Sequence, residues 1–216
     1  MVFYFDDIAS VQSDYYREYL PLLPWERQQR VISCRKLSDR SLSVLAWQLL
    51  RYACRDRGRG LYQLPVRYGP AGKPCFGGAG AQLHFNLSHC ERGAACGISA
   101  AAVGVDMQEL VCDYETLLDR VCSAGEKRRI QQAEKPVQLF TAFWALKESY
   151  VKCLGTGLDD DLPQLDFSAM QENQGQLYGH SFQVWEKNGY MLAECTAASE
   201  PEPELRRVSL AQLTVF

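Results

Sequence analysis

Strand-like and helix-like segments follow one another along this chain without a regular βαβ repeat. That order favours an α+β fold over a doubly wound parallel sheet. Residues 2–5 read as an opening strand. Residues 14–20 read as a helix stopped by Pro21 and Pro24, and residues 26–35 as a basic helical stretch. Residues 38–53 form the clearest helix of the first half, because Leu42, Leu45, Leu49 and Ala53 recur at helical spacing; Gly58 and Gly60 end it. The Gly- and Pro-rich stretch 68–81 reads as loop. Residues 83–87, 94–98 and 103–107 read as strands, and 117–132 and 139–154 as helices. Beyond Phe182 the pattern is strand-like again, with Asn188-Gly189 as a strong two-residue hairpin signal and residues 208–215 as a last strand. A chain of 216 residues holds one large domain or two small ones. Two similar halves, 1–102 and 103–216, fit this order.

Composition narrows the function classes. Hydrophobic residues make up 47% and charged residues 23%, as in ordinary globular domains. A net charge of −3 excludes a bulk polyanion binder, so phosphates must be met by a local cluster of Lys and Arg, and nucleic acid is not an expected partner. The nine cysteines contain no C-x-x-C pair, which gives no support to a zinc ribbon or a thioredoxin motif. Their odd count and scattered spacing suit free thiols in a reducing compartment. The N-terminus lacks the basic region and apolar core of a signal peptide, and no run of 18 apolar residues occurs. The expectation is a cytoplasmic monomer with no membrane partner.

Three segments can carry chemistry. In the strand 103–108, Val103, Val105 and Met107 share one face and Gly104, Asp106 and Gln108 the other. A carboxylate and an amide carbonyl leaving together suit a hard cation such as Mg²⁺; the plainer reading is an Asp that caps a turn. On the helix 143–152, Trp144, Glu148 and Lys152 lie four apart on one stripe. The plain reading is an i,i+4 surface pair of Glu148 and Lys152. The other reading is a carboxylate that loses water beside Trp144, so that its pKa rises and it can serve as general base or metal ligand. In residues 85–89, Ser88 and His89 point to opposite faces of a strand and cannot form a nucleophile–base couple, but with nearby backbone N–H groups they can hold an anion. Arg27, Arg30, Arg35, Lys36 and Arg40, and Lys73 further on, either bind phosphates by charge-assisted bonds or form solvated faces.

Taken in order, these pieces resemble the Sfp-type 4′-phosphopantetheinyl transferases. The likeness rests on G-K-P at 72–74, F-N-L-S-H at 85–89, V-G-V-D at 103–106, F-W-A-L-K-E-S-Y-V-K at 143–152, and Gly155-Thr156-Gly157-Leu158 after it. It covers roughly residues 24–170. The resemblance implies two pseudo-symmetric lobes, each a small antiparallel sheet with a long helix, and a site in the cleft between them. It implies transfer of the phosphopantetheine arm of coenzyme A to a serine of an apo acyl or peptidyl carrier protein, with Mg²⁺ required. By the same resemblance Asp106 and Glu148 are metal ligands with Gln108 beside them, Glu148 is also the base, and Lys152 meets the pyrophosphate. Lys73, Pro74, Ser88 and His89 contact coenzyme A, and Arg40 is the arginine near its 3′-phosphate, with Arg27 and Arg30 as helpers. The region 111–129 is implied as the carrier contact. Gln108 stands where many members carry an acid. It is the one feature that encourages the alternative, a catalytically weakened module that binds coenzyme A or a carrier protein.

Overall fold

The computed structural model describes residues 1–60, 64–69, 72–157, 162–170, 173–197 and 204–214. One theme is used twice. In the first half, β1 (Val2–Phe5) is followed by the short helices α1 (Tyr15–Tyr19) and α2 (Trp25–Ser33) and the long helix α3 (Leu37–Asp56). A small hairpin of β2 (Val66–Tyr68) and β3 (Pro74–Phe76) precedes a longer one of β4 (His84–Cys90) and β5 (Gly93–Ser99). In the second half, β6 (Val103–Glu109) is followed by α4 (Leu118–Val121), α5 (Ala124–Gln132) and the long helix α6 (Pro136–Leu154). The strands β7 (Gln174–Leu177), β8 (His180–Lys187) and β9 (Tyr190–Ala197) come next. In each half the opening strand pairs antiparallel with the last strand of the later hairpin, β1 with β5 and β6 with β9. The pseudo-symmetric α+β architecture is therefore visible in the strand pairing itself.

The alternation of side chains along the strands explains the layering. Phe3 and Phe5 of β1, Phe85 of β4 and Ile98 of β5 meet Leu45, Trp47, Leu49 and Leu50 of α3 in one core. Phe182, Val184, Ala193 and Cys195 of β8 and β9 meet Phe140, Phe143 and Leu146 of α6 in another. The opposite faces of the sheets meet each other through Val2, Tyr4, Ala95, Val105, Met107 and Leu192. The order is helix, sheet, sheet, helix. The face of β6 that holds Gly104, Asp106 and Gln108 looks toward α6 and is itself covered. A Cβ at Gly104 would lie 1.9 Å from the Ser149 carbonyl oxygen and 2.4 Å from the Cys153 nitrogen, so only glycine lets β6 lie this close to the helix.

Three expectations are corrected. The stretch 68–81, read as loop, contributes the end of β2 and all of β3, paired from Val66↔Phe76 to Tyr68↔Pro74; residues 70 and 71 lie outside the described residues. The single helix 117–132 is two helices. Cys122 is extended, and Ser123 starts α5 with a reciprocal capping box in which its hydroxyl accepts from Glu126 N–H and the Glu126 carboxylate accepts from Ser123 N–H. The last strand, 208–215, is not a strand over its described residues. A strand β10 (Leu205–Arg207) ends before it and α7 (Leu210–Thr214) follows, because Ser209 and Gln212 cap each other's backbone N–H groups. Val215 lies outside the described residues. Strand β10 also returns to the first sheet, parallel to β1, giving the orders β10-β1-β5-β4 and β6-β9-β8-β7. The Asn188-Gly189 turn joins β8 to β9 as its sequence requires.

Replacing Gly104 by Ala should force β6 and α6 apart. We expect a loss of about 2–3 kcal/mol in urea unfolding, with the helical circular dichroism signal retained.

Candidate active site

The site is built where β6 passes between β4 and α6. The edge of β6 away from β9 has no strand partner among the described residues, and two side chains of β4 bond to it instead. Asn86 Oδ1 accepts from Val105 N–H at 2.9 Å, and Ser88 Oγ accepts from Met107 N–H at 3.1 Å. Both side chains are buried. Ser88 then donates its own proton to Asp106 Oδ1 at 3.0 Å, and the Lys152 ammonium reaches the same carboxylate oxygen at 2.5 Å and Ser88 Oγ at 3.2 Å. The other oxygen, Asp106 Oδ2, is buried with no hydrogen-bond partner among the described residues. A buried carboxylate oxygen is costly to leave bare. It is the donor that a cation would use.

Glu148 faces this carboxylate from α6. It is buried, and Trp144 Nε1–H donates to its Oε1 at 3.3 Å. Burial raises the Glu148 pKa above the usual carboxylate range, and the negative charge of Asp106 raises it further, against the pull of Lys152 and Trp144. The helical stripe of Trp144, Glu148 and Lys152 is thus a covered one. Lys152 is paired across to Asp106 rather than along the helix to Glu148. Glu148 and Lys152 of α6 share one wall of a cleft, and Asp106 of β6 is buried against Lys152. A cavity of ≈ 270 Å³ lies beside them, lined by Gly72, Lys73, Pro74, Asn86, Glu148, Val151, Lys152, Gly155 and Gly157. Gly155, at φ 73°, ends α6 in the left-handed conformation and turns the chain along the cavity. Leu158 of the motif that follows lies outside the described residues. Gln108 is half-buried on the Asp106 face of β6 and does not line this cavity.

The basic residues are placed less simply. The three donors of the Lys73 ammonium go to the carbonyls of Val103 (3.1 Å), Lys152 (2.5 Å) and Cys153 (3.1 Å). Two of these carbonyls are at the C-terminus of α6, where a cation is favoured, and Lys73 also lines the cavity. Burial lowers its pKa. Arg40 does the same for α2, donating to the carbonyls of Cys34 and Ile32 at 3.0 Å each, with its guanidinium against the Tyr16 ring. Arg27 is half-buried, bonded to Ser43 O and Oγ and stacked over Trp47, so it fastens α2 to α3. Arg30 lies over the Tyr68 ring at 4.1 Å and within 3.6 Å of where a Gly72 Cβ would stand, next to the cavity wall. His89 points away from Ser88, as strand alternation requires. Burial, with the charge of Arg27, lowers its pKa. Lys147, inside the helical motif, is not in the cleft. It is fully buried, with Glu126 Oε2 at 2.7 Å and the carbonyls of Val121 and Leu162 completing its shell. Asn86 was the residue that sequence reasoning passed over; its place in F-N-L-S-H, on the Ser88 face of a strand, was the available signal.

Residues 102–200 match the family model described as the 4′-phosphopantetheinyl transferase superfamily. The match spans just under half of the chain. Its relatives are of the Sfp type. It is 29% identical over 153 residues to the 4′-phosphopantetheinyl transferase Sfp of Bacillus subtilis, covering 66% of this chain and 67% of that protein. It is 30% identical over 161 residues to the L-aminoadipate-semialdehyde dehydrogenase-phosphopantetheinyl transferase of Saccharomyces cerevisiae, covering 68% of this chain and 58% of that protein. Among solved structures, the crystal structure of Thermotoga maritima holo-[acyl-carrier-protein] synthase is similar at 20% identity, with a TM-score of 0.32 over 44% of this chain and 61% of that chain.

Two substitutions separate the structural cations from the cleft. Lys73→Met should cost about 2 kcal/mol or more in urea unfolding, because carbonyls at the end of α6 lose charged donors. Lys147→Met leaves the Glu126 carboxylate buried and unpaired, and should cost about 3–5 kcal/mol by the same measurement.

Proposed function

We propose that this protein transfers the 4′-phosphopantetheine arm of coenzyme A to a serine of an apo acyl or peptidyl carrier protein, and releases 3′,5′-ADP. The observation that carries the proposal is the facing pair of buried carboxylates, Asp106 and Glu148, with Lys152 between strand and helix at the wall of an open cavity. The superfamily match over the half of the chain that contains both carboxylates supports it.

The residues fit a divalent cation. Asp106 Oδ2 is buried and bare, Glu148 lies opposite, and carboxylate oxygens suit Mg²⁺. Asp106 and Glu148 would hold the ion, with the Gln108 amide on the same face reaching it directly or through water. When bound, such an ion supplies charge neutralisation at the coenzyme A pyrophosphate. The carrier serine oxygen forms a bond to the β-phosphorus of coenzyme A, and the bond from that phosphorus to the bridging oxygen breaks. Glu148 takes the serine proton; its raised pKa brings it closer to neutral, as a general base needs. Lys152 would neutralise further charge on the pyrophosphate. Its present partner, Asp106, holds the ammonium at the mouth of the cavity. The glycine-rich edge formed by Gly72, Pro74, Gly155 and Gly157 shapes the wall against which the substrate lies.

In this reading Lys73 and Arg40 act on the coenzyme A site by fixing the ends of α6 and α2, and Arg30, beside Gly72 of the cavity wall, is a further cation for a phosphate. No described helix is long and apolar enough to cross a membrane, and all nine thiols are free. The binding-module alternative rests on the neutral Gln108 alone. The two buried carboxylates, Asp106 and Glu148, support the enzyme reading over it.

Incubation with coenzyme A, Mg²⁺ and an apo carrier protein, read by mass spectrometry, tests the proposal. We expect the carrier to gain one phosphopantetheine. Asp106→Asn and Glu148→Gln should each slow transfer by about 10²-fold or more, with folding intact. A Glu148→Gln protein of near-wild-type rate would sink the assignment, and a wild-type protein that binds coenzyme A without labelling the carrier would favour the binding module.

A further inference from the structure

At the far end of α6, beyond the carboxylate cluster, two thiols and an imidazole converge from three elements. Cys153 is in the last turn of α6, Cys195 is in β9, and His180 opens β8. Their ligand atoms, the two Sγ and a ring nitrogen of His180, all lie within 4.8 Å of one another. Strand register produces this meeting. Cys195 is paired with Phe182, so His180, two residues before Phe182, points to the same α6-facing side of the sheet.

The imidazole is held in a defined state. His180 Nδ1 lies 2.8 Å from the Tyr178 carbonyl oxygen. A carbonyl only accepts, so Nδ1 carries the proton and the lone pair of the neutral ring is on Nε2. This is the outer-shell arrangement that metal-binding histidines use. The carbonyl is presented by a two-residue turn of Tyr178 and Gly179, both left-handed at φ 50° and 72°. Tyr178 is the non-glycine residue with positive φ among the described residues, in a place where Asn or Gly is usual. The Tyr150 ring meets the imidazole edge-on at 5.2 Å and limits its swing. The thiols are buried and hydrogen-bonded to each other.

We propose that Cys153, Cys195 and His180 form a soft-metal site for a divalent cation of the Zn²⁺ class, separate from the carboxylate cluster. Two sulfurs and one imidazole nitrogen are ligands of tetrahedral zinc, and hard Mg²⁺ does not select them. Zinc–sulfur bonds of about 2.3 Å and zinc–nitrogen bonds of about 2.0–2.1 Å place neighbouring ligand atoms about 3.5–3.8 Å apart. A small closure of the three side chains completes that shell. Binding displaces the thiol protons, leaves two thiolates on the ion, and involves no change of redox state. The ion would tie the last turn of α6 to β8 and β9, directly after Lys152 and at one of the carbonyls that Lys73 holds. The proposal stands apart from the transferase reading.

Cobalt titration tests it. The reduced, chelator-treated full-length chain is titrated with Co²⁺ in excess Mg²⁺, and near-ultraviolet and visible absorbance is recorded. We expect thiolate-to-cobalt charge transfer and a tetrahedral cobalt spectrum saturating at a single equivalent, displaced by Zn²⁺. Cys153→Ala and Cys195→Ala, both small changes in volume, should lose the charge-transfer band, with folding checked by circular dichroism. His180→Ala should weaken Co²⁺ by about tenfold or more, and Cys112→Ser, at an exposed thiol, should change nothing. Absence of the band in the wild-type chain, or its survival in both alanine variants, would overturn the proposal. So would recovery of the Cys153 and Cys195 peptides as a disulfide from untreated protein that contains no zinc.

Discussion

The structure depends on how the open edge of β6 is closed. Strand β9 pairs with one edge only, and the N–H groups of Val105 and Met107 on the other would be buried without partners. Asn86 and Ser88 of β4 supply the acceptors. These side-chain bonds stand in for a strand and join the sheets of the two halves. They also set the chemistry, because the Ser88 hydroxyl that accepts from Met107 donates to Asp106. The carboxylate is therefore positioned by the same contact that joins the lobes. Gly104, one residue before Val105, brings α6 against the strand closely enough for Glu148 and Lys152 to reach it.

Much of the positive charge in this protein serves helix ends. Lys73 satisfies carbonyls at the C-terminus of α6, Arg40 those of α2, and Lys147 the last carbonyl of α4 together with a buried carboxylate. The unpaired carbonyls there carry partial negative charge, and a cation with several donors meets them without a mobile counter-ion. That use explains why the count of basic residues before residue 74 overstates the number pointing into the cleft. Lys152 is the ammonium left among the carboxylates, and the carboxylates hold it there.

The sequence carried more of the fold than of the site. The long helices α3 and α6, the strands β4 to β6 and the Asn188-Gly189 turn were legible because each is a local periodicity or a local turn chemistry. The break between α4 and α5 had a local signal too, the Ser123–Glu126 capping box, but the apolar spacing continued across it. The hairpin of β2 and β3 was hidden by its Gly and Pro content, since its pairing is made by contacts between segments rather than within them. The return of β10 to β1 was hidden for the same reason.

At the site, the sequence by itself determined which groups were available: Asp106 and Gln108 on one strand face, Glu148 and Lys152 on one helical stripe, and Ser88 apart from His89. These follow from the fixed repeats of strand and helix. Tertiary structure decided what each group does. It set the Lys73 ammonium on carbonyls of β6 and α6, moved Lys152 from Glu148 to Asp106, left Asp106 Oδ2 bare, and brought Cys153, His180 and Cys195 together from positions with no motif spacing. Side-chain periodicity is a property of neighbours in the chain. Partnership is decided by distance and burial, and those exist only once the lobes have packed.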